Sequence, residues 1–132
     1  MILLCLLNFL STFFDTGIIR PNDSFVNTEW VCNISKGCVD SYKFKSASKV
    51  AFYSCESDYT SYGTYSVSND TLIVSGLDNS IDGSKEKYRE MFLIGRYTLK
   101  PISTEELIKG RWRVLKVKFD SMYIFKKKAT KK

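Results

Sequence analysis

The sequence predicts an all-β protein, an antiparallel up-and-down meander of seven to eight strands that closes as a barrel or packs as a sandwich. Short segments of alternating apolar and polar residues follow one another, and turn residues separate them at even spacing. Aromatic residues make up 14% of the chain, whereas alanine occurs only three times, and this bias favours pleated sheet over helix. Strands are predicted over residues 29–34, 41–45, 49–56, 63–68, 71–75, 90–100, 111–119 and 122–126.

The segments 41–45 and 49–56 are predicted to form a hairpin. A three-residue loop between them places Phe44 opposite Val50 and Tyr42 opposite Phe52. All four side chains then lie on one face of the sheet, and this common parity is the argument for the hairpin.

A second hairpin is predicted from the segments 63–68 and 71–75. Asn69 and Asp70 tolerate positive φ, so they suit a two-residue turn, which pairs Val67 with Leu72 and Tyr65 with Val74. A shift of one residue in the pairing of these two segments would move every apolar side chain to the solvent-exposed face, so their register is strongly specified.

The second half of the domain has weaker signals. Residues 90–100 are predicted to be one strand with a bend or bulge at Gly95, closed by Pro101. The Ser-x-x-Glu pattern at 103–106 is typical of a helix start and predicts one helical turn, with a strand that resumes at Leu107 as the alternative. The last two strands are predicted to form a hairpin across residues 120–121.

Residues 1–17 are predicted to be a signal peptide or N-terminal apolar segment. The uncharged run 1–14 is shorter than the about 20 apolar residues of a spanning helix and matches the apolar centre of a secretory signal. A basic residue before the run and a small-x-small cleavage site after it are missing. The alternative is that this segment folds as a buried strand or helix. We expect export to the periplasm, cell envelope or medium.

The rest of the chain is divided into a polar linker at 18–27, the β domain at 28–128 and a basic tail at 129–132. The net charge is +6, but five lysines lie in the last seven residues and others alternate with apolar residues. This spread indicates solvated strand faces rather than a phosphate-binding surface, so no nucleic-acid partner is expected. Trp112, which has basic neighbours, is expected to anchor one end of the core.

Of the four cysteines, Cys5 lies in the apolar N-terminal segment. In an exported domain one disulfide is expected among Cys32, Cys38 and Cys55. The Cys38–Cys55 pair is favoured because the first hairpin brings the flanks of its two strands together; three reduced, buried cysteines are the alternative. The spacing is not that of a zinc site, and the chain has no histidine, so no metal is expected.

Catalytic residues are not predicted. Without histidine the serines lack their commonest activating base, and the glycines occur singly rather than in a phosphate-binding loop. The carboxylate pairs Glu56/Asp58 and Glu105/Glu106 lie beside turn residues, where solvated carboxylates are the rule. We therefore expect neither an enzyme nor a cofactor.

One face of the predicted sheet collects the large apolar residues, which would line the interior of a closed barrel. A barrel of about eight strands is either filled by side chains or holds one small ligand, and the sequence leaves both open. Tyrosine hydroxyls would supply the few polar groups of such a site. The candidate ligand-binding residues are Trp30, Tyr42, Phe44, Phe52, Tyr65, Val67, Leu72, Val74, Tyr97 and Leu99.

The order of these segments resembles that of the small bacterial lipocalin-like domain proteins, which are often exported and abundant in gut Bacteroidetes. The matching motifs are Trp30, the hairpin Tyr42-Lys43-Phe44 with Lys49-Val50-Ala51-Phe52, the stretch 62–72, Tyr97-Thr98-Leu99 with Ile102-Ser103-Thr104, and Met122-Tyr123-Ile124-Phe125-Lys126. The likeness covers roughly residues 28–128. It implies a lipocalin-like up-and-down barrel and a hydrophobic ligand, and it brings no catalytic residues.

Two functions follow as hypotheses. The first is a non-catalytic, exported, lipocalin-like protein that binds a small apolar ligand inside the barrel, with no membrane span in the mature form. The alternative is a cell-envelope interaction protein, an inhibitor or assembly partner with a solid core, which acts through exposed loops at residues 56–61 and 77–87.

Overall fold

The computed structural model describes residues 24–77, 87–117, 119 and 123–129 of the chain. The expected signal peptide at 1–17 and most of the expected linker lie outside these residues, so both stay predictions. Nine strands lie in the described part: β1 (Thr28–Ser35), β2 (Cys38–Phe44), β3 (Lys49–Ser54), β4 (Tyr59–Ser68), β5 (Thr71–Ser75), β6 (Lys87–Ile94), β7 (Thr98–Ile108), β8 (Arg111–Lys116) and β9 (Phe125–Lys127).

Eight of these strands close into an antiparallel barrel, which confirms the predicted fold class. Strands β1 to β7 pair in chain order, β7 pairs with β9, and β9 returns to β1. Closure is narrow, because β9 meets β1 at two residue pairs and β7 at two more. Strand β8 is extra to the ring and pairs with the second half of β7.

Both predicted hairpin registers are confirmed. In the β2–β3 hairpin Phe44 pairs with Val50 and Tyr42 with Phe52. In the β4–β5 hairpin Val67 pairs with Leu72 and Tyr65 with Val74. Short turns fix these registers, because they leave the two strands no freedom to slide.

The predicted single strand at 90–100 is wrong. Its residues form the end of β6, a turn at 95–97 and the start of β7, and the Gly95 amide donates to the Thr98 carbonyl over 2.8 Å. Pro101 does not end a strand either. It lies inside β7 beside a bulge, where β7 has one residue more than β6, and a missing N–H is tolerated at such a bulge.

Two further expectations in this half are corrected. The Ser-x-x-Glu segment at 103–106 lies within β7, because its backbone pairs with β6, and no helical turn forms there. The last two strands do not pair with each other. Strand β8 instead forms a hairpin with β7 through Lys109 and Gly110, whose φ values of 50° and 76° are those of a tight two-residue hairpin turn.

Because successive strands alternate in direction, the barrel has two distinct ends. The closed end carries the turns at 46–48, 69–70 and 95–97 together with residues 24–27, and the open end carries the turns at 36–37, 55–58 and 109–110. Phe25 is 3% exposed and packs on Trp30, Phe44 and Tyr65 with ring centroids 4.9 to 6.1 Å apart. The expected linker is therefore corrected at its C-terminal part, because the ordered domain already includes Phe25.

The core fills the inside of the barrel. Leu77, expected in an exposed loop, is buried instead and packs over Gly63, where a Cβ atom would lie 2.3 Å from the Ser75 carbonyl oxygen. Only glycine permits this close approach of the backbone. The buried cluster comprises Phe25, Trp30, Cys32, Tyr42, Phe44, Val50, Tyr65, Leu72, Val74, Leu77, Phe92, Leu99 and Phe125.

Candidate ligand-binding site

Nine of the ten residues expected inside the barrel lie in the core or against it. Phe52 and Val67 are partly buried and pack against the core cluster, and Tyr97 is the exception. Tyr97 is 58% exposed, because it belongs to the β6–β7 turn and not to a continuous strand; its ring contacts the Arg96 guanidinium instead. The fully buried members are Trp30, Tyr42, Phe44, Tyr65, Leu72, Val74 and Leu99.

Aromatic rings pack together in the half of the barrel near the closed end. Their polar tips are bonded within the protein: the Trp30 indole donates to Thr28 Oγ1 over 3.0 Å, and the Tyr65 hydroxyl donates to the Ser46 carbonyl over 2.6 Å. These groups are committed to the fold and do not face a ligand.

The half near the open end holds a cavity of about 230 Å³. Of the ten predicted residues, Tyr42 and Phe52 line it. Most of its wall is aromatic or apolar, and a small number of polar groups interrupt that wall. The lining residues are Asp40, Tyr42, Phe52, Glu90, Met91, Phe92, Pro101, Ser103, Thr104, Lys116, Phe119, Tyr123 and Phe125.

Glu90 is the central polar group of the cavity. It lies on β6 opposite Val74, and its carboxylate accepts a hydrogen bond from the Tyr42 hydroxyl across the barrel. Burial raises the pKa of Glu90; the hydrogen bond from Tyr42 acts in the opposite direction, and the charge of Asp40 adds to the rise. Burial and the neighbouring Glu90 likewise place the pKa of Tyr42 well above its usual value, so this hydroxyl stays a donor.

Asp40 is the second carboxylate of the cavity wall. Its Oδ1 accepts a hydrogen bond from the Cys55 amide over 2.9 Å, which ties β2 to the β3–β4 turn. Burial raises the pKa of Asp40, the bond from Cys55 lowers it, and repulsion from Glu56 raises it. Cys55 is joined to Cys38 in a disulfide with Cα atoms 5.4 Å apart, which is the pairing that the sequence favoured.

Lys116 stands at the end of β8, opposite Thr104 of β7. Its ammonium lies 5.1 Å from the ring centroid of Phe119 and 5.6 Å from that of Tyr123, within the range of cation–π attraction. Lys116 is exposed, so it borders the cavity from the solvent side.

The other charged groups that the structure describes do not line the cavity. Arg89 pairs with Glu105 and covers the Trp112 ring at 4.1 Å, so Trp112, 38% exposed, does not anchor the core as expected. One member of each carboxylate pair considered for catalysis already has a partner within the protein. Glu105 is ion-paired with Arg89, and Asp58 accepts a hydrogen bond from Tyr53 over 2.8 Å. Within the described ranges, no three acidic or thiol side chains are grouped to bind a metal.

The sequence contained a signal for both cavity carboxylates. Asp40 lies two residues before Tyr42, and Glu90 two residues before Phe92, so strand alternation puts each on the apolar face. A carboxylate at such a position is rarely buried without a reason. By contrast, no local pattern marks Lys116 or Tyr123, because their approach depends on how the chain runs from β8 to β9.

Comparisons of the chain with protein-family models, with curated proteins and with solved structures found no match. Among the described residues, no helix is long and apolar enough to cross a membrane.

Proposed function

We propose that this protein binds a small molecule in the cavity at the open end of its barrel and acts by binding, not by catalysis. The observation that supports it is the composition of the cavity: aromatic walls with few, convergent polar groups, which is the usual make-up of a ligand site. The lipocalin-like resemblance of the sequence points in the same direction.

The volume narrows the ligand class. A cavity of roughly 150 Å³ accepts benzene, so about 230 Å³ suits one substituted ring or a molecule of similar size. Trp30, Phe44 and Tyr65, which pack at the closed end, do not line the cavity. The hydrophobic ligand suggested by the sequence is thus proposed to be compact.

A titration with benzyl alcohol, followed by amide chemical shifts in NMR spectra, tests this proposal. We expect saturable shifts centred on residues 40–42, 90–92 and 102–104. The Thr104→Phe variant, which fills the cavity, should lose them. The matched variant Thr64→Phe, on an exposed position of β4, should keep them. Shifts that persist in Thr104→Phe, or spread over the outer surface, would contradict the proposed site.

We also propose export, because disulfides persist mainly in oxidising compartments. The Cys38–Cys55 disulfide supports this proposal. An intact-mass measurement on protein purified from its native host tests it. A mass that lacks the N-terminal segment and two hydrogens is expected. A full-length chain with all thiols reduced would refute export.

An interaction function is the second candidate, carried by strand β8, which exposes apolar residues, and not by the loops expected at residues 56–61 and 77–87. Residues 78–86 of the second loop lie outside the described part of the chain. Trp112, Val114 and Leu115 are 38%, 52% and 50% exposed, although they lie in a strand. Exposed apolar strands often mark contact surfaces. A photocrosslinking residue at Val114 should then capture a partner in the host, whereas one at the exposed Thr64 should not. Equal labelling at both positions would rule this candidate out.

A further inference from the structure

We propose that the ligand of the open-end cavity is a small organic cation, an amine with a compact apolar body, held by Glu90 and Asp40 against the aromatic wall. This inference rests on the proposed function and adds the charge of the ligand. Three observations on the cavity carry it.

The first observation is an unbalanced pair of carboxylates. Glu90 and Asp40 both line the cavity, and neither has a lysine or arginine nitrogen at ion-pairing distance among the described residues, where the two salt bridges are Arg89–Glu105 and Lys128–Glu29. Both side chains are partly buried, and charges withdrawn from water are normally paired, because desolvation is otherwise uncompensated. A cation that enters the cavity would supply the missing partner.

The second observation is the kind of wall that surrounds the carboxylates. The rings of Phe52, Phe92 and Phe125 line the same space, and the rings of Tyr42 and Phe52 pack with centroids 4.7 Å apart. Aromatic faces attract ammonium groups, and aromatic cages with a nearby carboxylate suit amines. A neutral apolar ligand would gain from the rings alone and would leave both carboxylates without compensation.

The third observation is that the cavity mouth already holds a cation on its rings. The Lys116 ammonium lies over Phe119 and Tyr123. It is exposed and does not reach either carboxylate, so it leaves the inner cation position open. An anionic ligand paired with Lys116 would have to approach two carboxylates, which disfavours that class.

The pKa shifts of the two cavity carboxyls agree with this arrangement. The groups that face Glu90 and Asp40 are Tyr42 on the same barrel wall as Asp40, Cys32 and Glu56 near Asp40, and Lys116 at the mouth. Because their pKa values are raised, Glu90 and Asp40 keep their protons to higher pH than ordinary carboxyls, and a cation that enters favours their ionised forms. Cation binding therefore releases protons and strengthens as the pH rises through the range in which these carboxyls ionise.

A matched set of three probes tests the charge: benzylamine, benzyl alcohol and benzoate, which share a ring and differ in charge. We expect benzylamine to bind about tenfold more tightly than benzyl alcohol, and benzoate to bind most weakly. Calorimetry in buffers of different ionisation enthalpy should show proton release for benzylamine and none for benzyl alcohol.

Two variants locate the effect. Glu90→Gln keeps an acceptor for Tyr42, and it should reduce the preference for benzylamine while binding of benzyl alcohol persists. Lys116→Met, on an exposed strand position, should increase benzylamine affinity because it removes a like charge from the mouth. Equal affinity for benzylamine and benzyl alcohol, or a preference for benzoate, would overturn the cation inference but leave the proposed cavity function intact. Absence of binding by all three probes would overturn both.

Discussion

At the scale of single residues, the molecule contains a carboxylate where a barrel of this size would ordinarily hold an apolar side chain. Glu90 lies on the same face of β6 as Phe92, and its hydrogen bond comes from Tyr42 on the opposite wall. The bond satisfies one oxygen but does not balance the charge. Glu90 therefore costs stability when it is ionised, which is expected of a group kept for binding rather than for packing.

The pH dependence of folding tests this view of Glu90. Its folded-state pKa is raised, so in the range above the ordinary carboxyl pKa the folded protein binds more protons than the unfolded chain. The free energy of unfolding therefore falls as the pH rises through that range. Glu90→Gln should be more stable than the parent at neutral pH, and the difference should shrink toward about pH 4, as measured by urea denaturation. Asp40 has a shift of the same sign, so a reduced slope remains.

A control for this prediction is Glu105→Gln, which removes a partly buried carboxylate that is ion-paired with Arg89 and does not line the cavity. That variant should lose stability, because removal of one partner of a partly buried pair leaves the Arg89 charge uncompensated. If Glu90→Gln and Glu105→Gln gave the same dependence of stability on pH, the loss of stability at neutral pH would not come from the position of Glu90 in the cavity.

At the scale of elements, strand β9 is the weak point of the barrel. It has three residues, and its pairs with β1 and β7 are the connections that close the ring. Phe125 is the residue of β9 that points inward; it is 6% exposed and packs on Tyr42 and Phe92. The closure thus depends on one aromatic side chain as much as on backbone hydrogen bonds.

Phe125→Ala should lower the free energy of unfolding by about 3–5 kcal/mol, the usual cost of removing a core phenylalanine. Leu115→Ala on β8, where the side chain is 50% exposed, should change it by less than about 0.5 kcal/mol. Chemical denaturation of both variants measures the difference. Similar losses for the two would mean that burial of Phe125 contributes no more to stability than an exposed side chain of β8 does.

The elements also show which features the sequence could predict. The β2–β3 and β4–β5 hairpins were predictable because a turn of two or three residues links apolar parity on both strands directly. The β6–β7 turn was not, because Gly95, Arg96 and Tyr97 interrupt an apolar run that reads equally well as one bent strand. The β7–β8 hairpin had a local signal in Lys109-Gly110, which the interpretation of residues 103–106 as a helical turn obscured. The partners of β9 depend on contacts across the whole chain, which no local pattern records.

At the scale of the whole molecule, the two ends of the barrel differ in what they contain. The closed end is filled by rings and sealed by Phe25, so it supplies most of the apolar burial. The open end carries the cavity, the two carboxylates and the disulfide. A packed half of this kind can offset the cost of charged groups in the other half, because both belong to one cooperative sheet.

The Cys38–Cys55 disulfide links two turns at the open end of the barrel. Cys38 and Cys55 are 17 residues apart and join the flanks of the 36–37 and 55–58 turns. The amide of Cys55 also holds Asp40, so the covalent link and the cavity wall are coupled. Loss of the bridge is therefore expected to affect both stability and ligand binding.

The double variant Cys38→Ser/Cys55→Ser should lose about 3 kcal/mol of stability, as expected for a closed loop of this length. Because the β3–β4 turn then moves more freely relative to β2, Asp40 should be held less firmly, and benzylamine should bind more weakly than to the oxidised parent. Cys32→Ala provides the control, since Cys32 is buried on β1 and does not take part in the bridge. Denaturation and the probe titration, carried out on the same samples, give both readouts. A double variant that loses stability but binds benzylamine as tightly as the parent would separate the disulfide from the site, and Asp40 would then be held by the barrel wall alone.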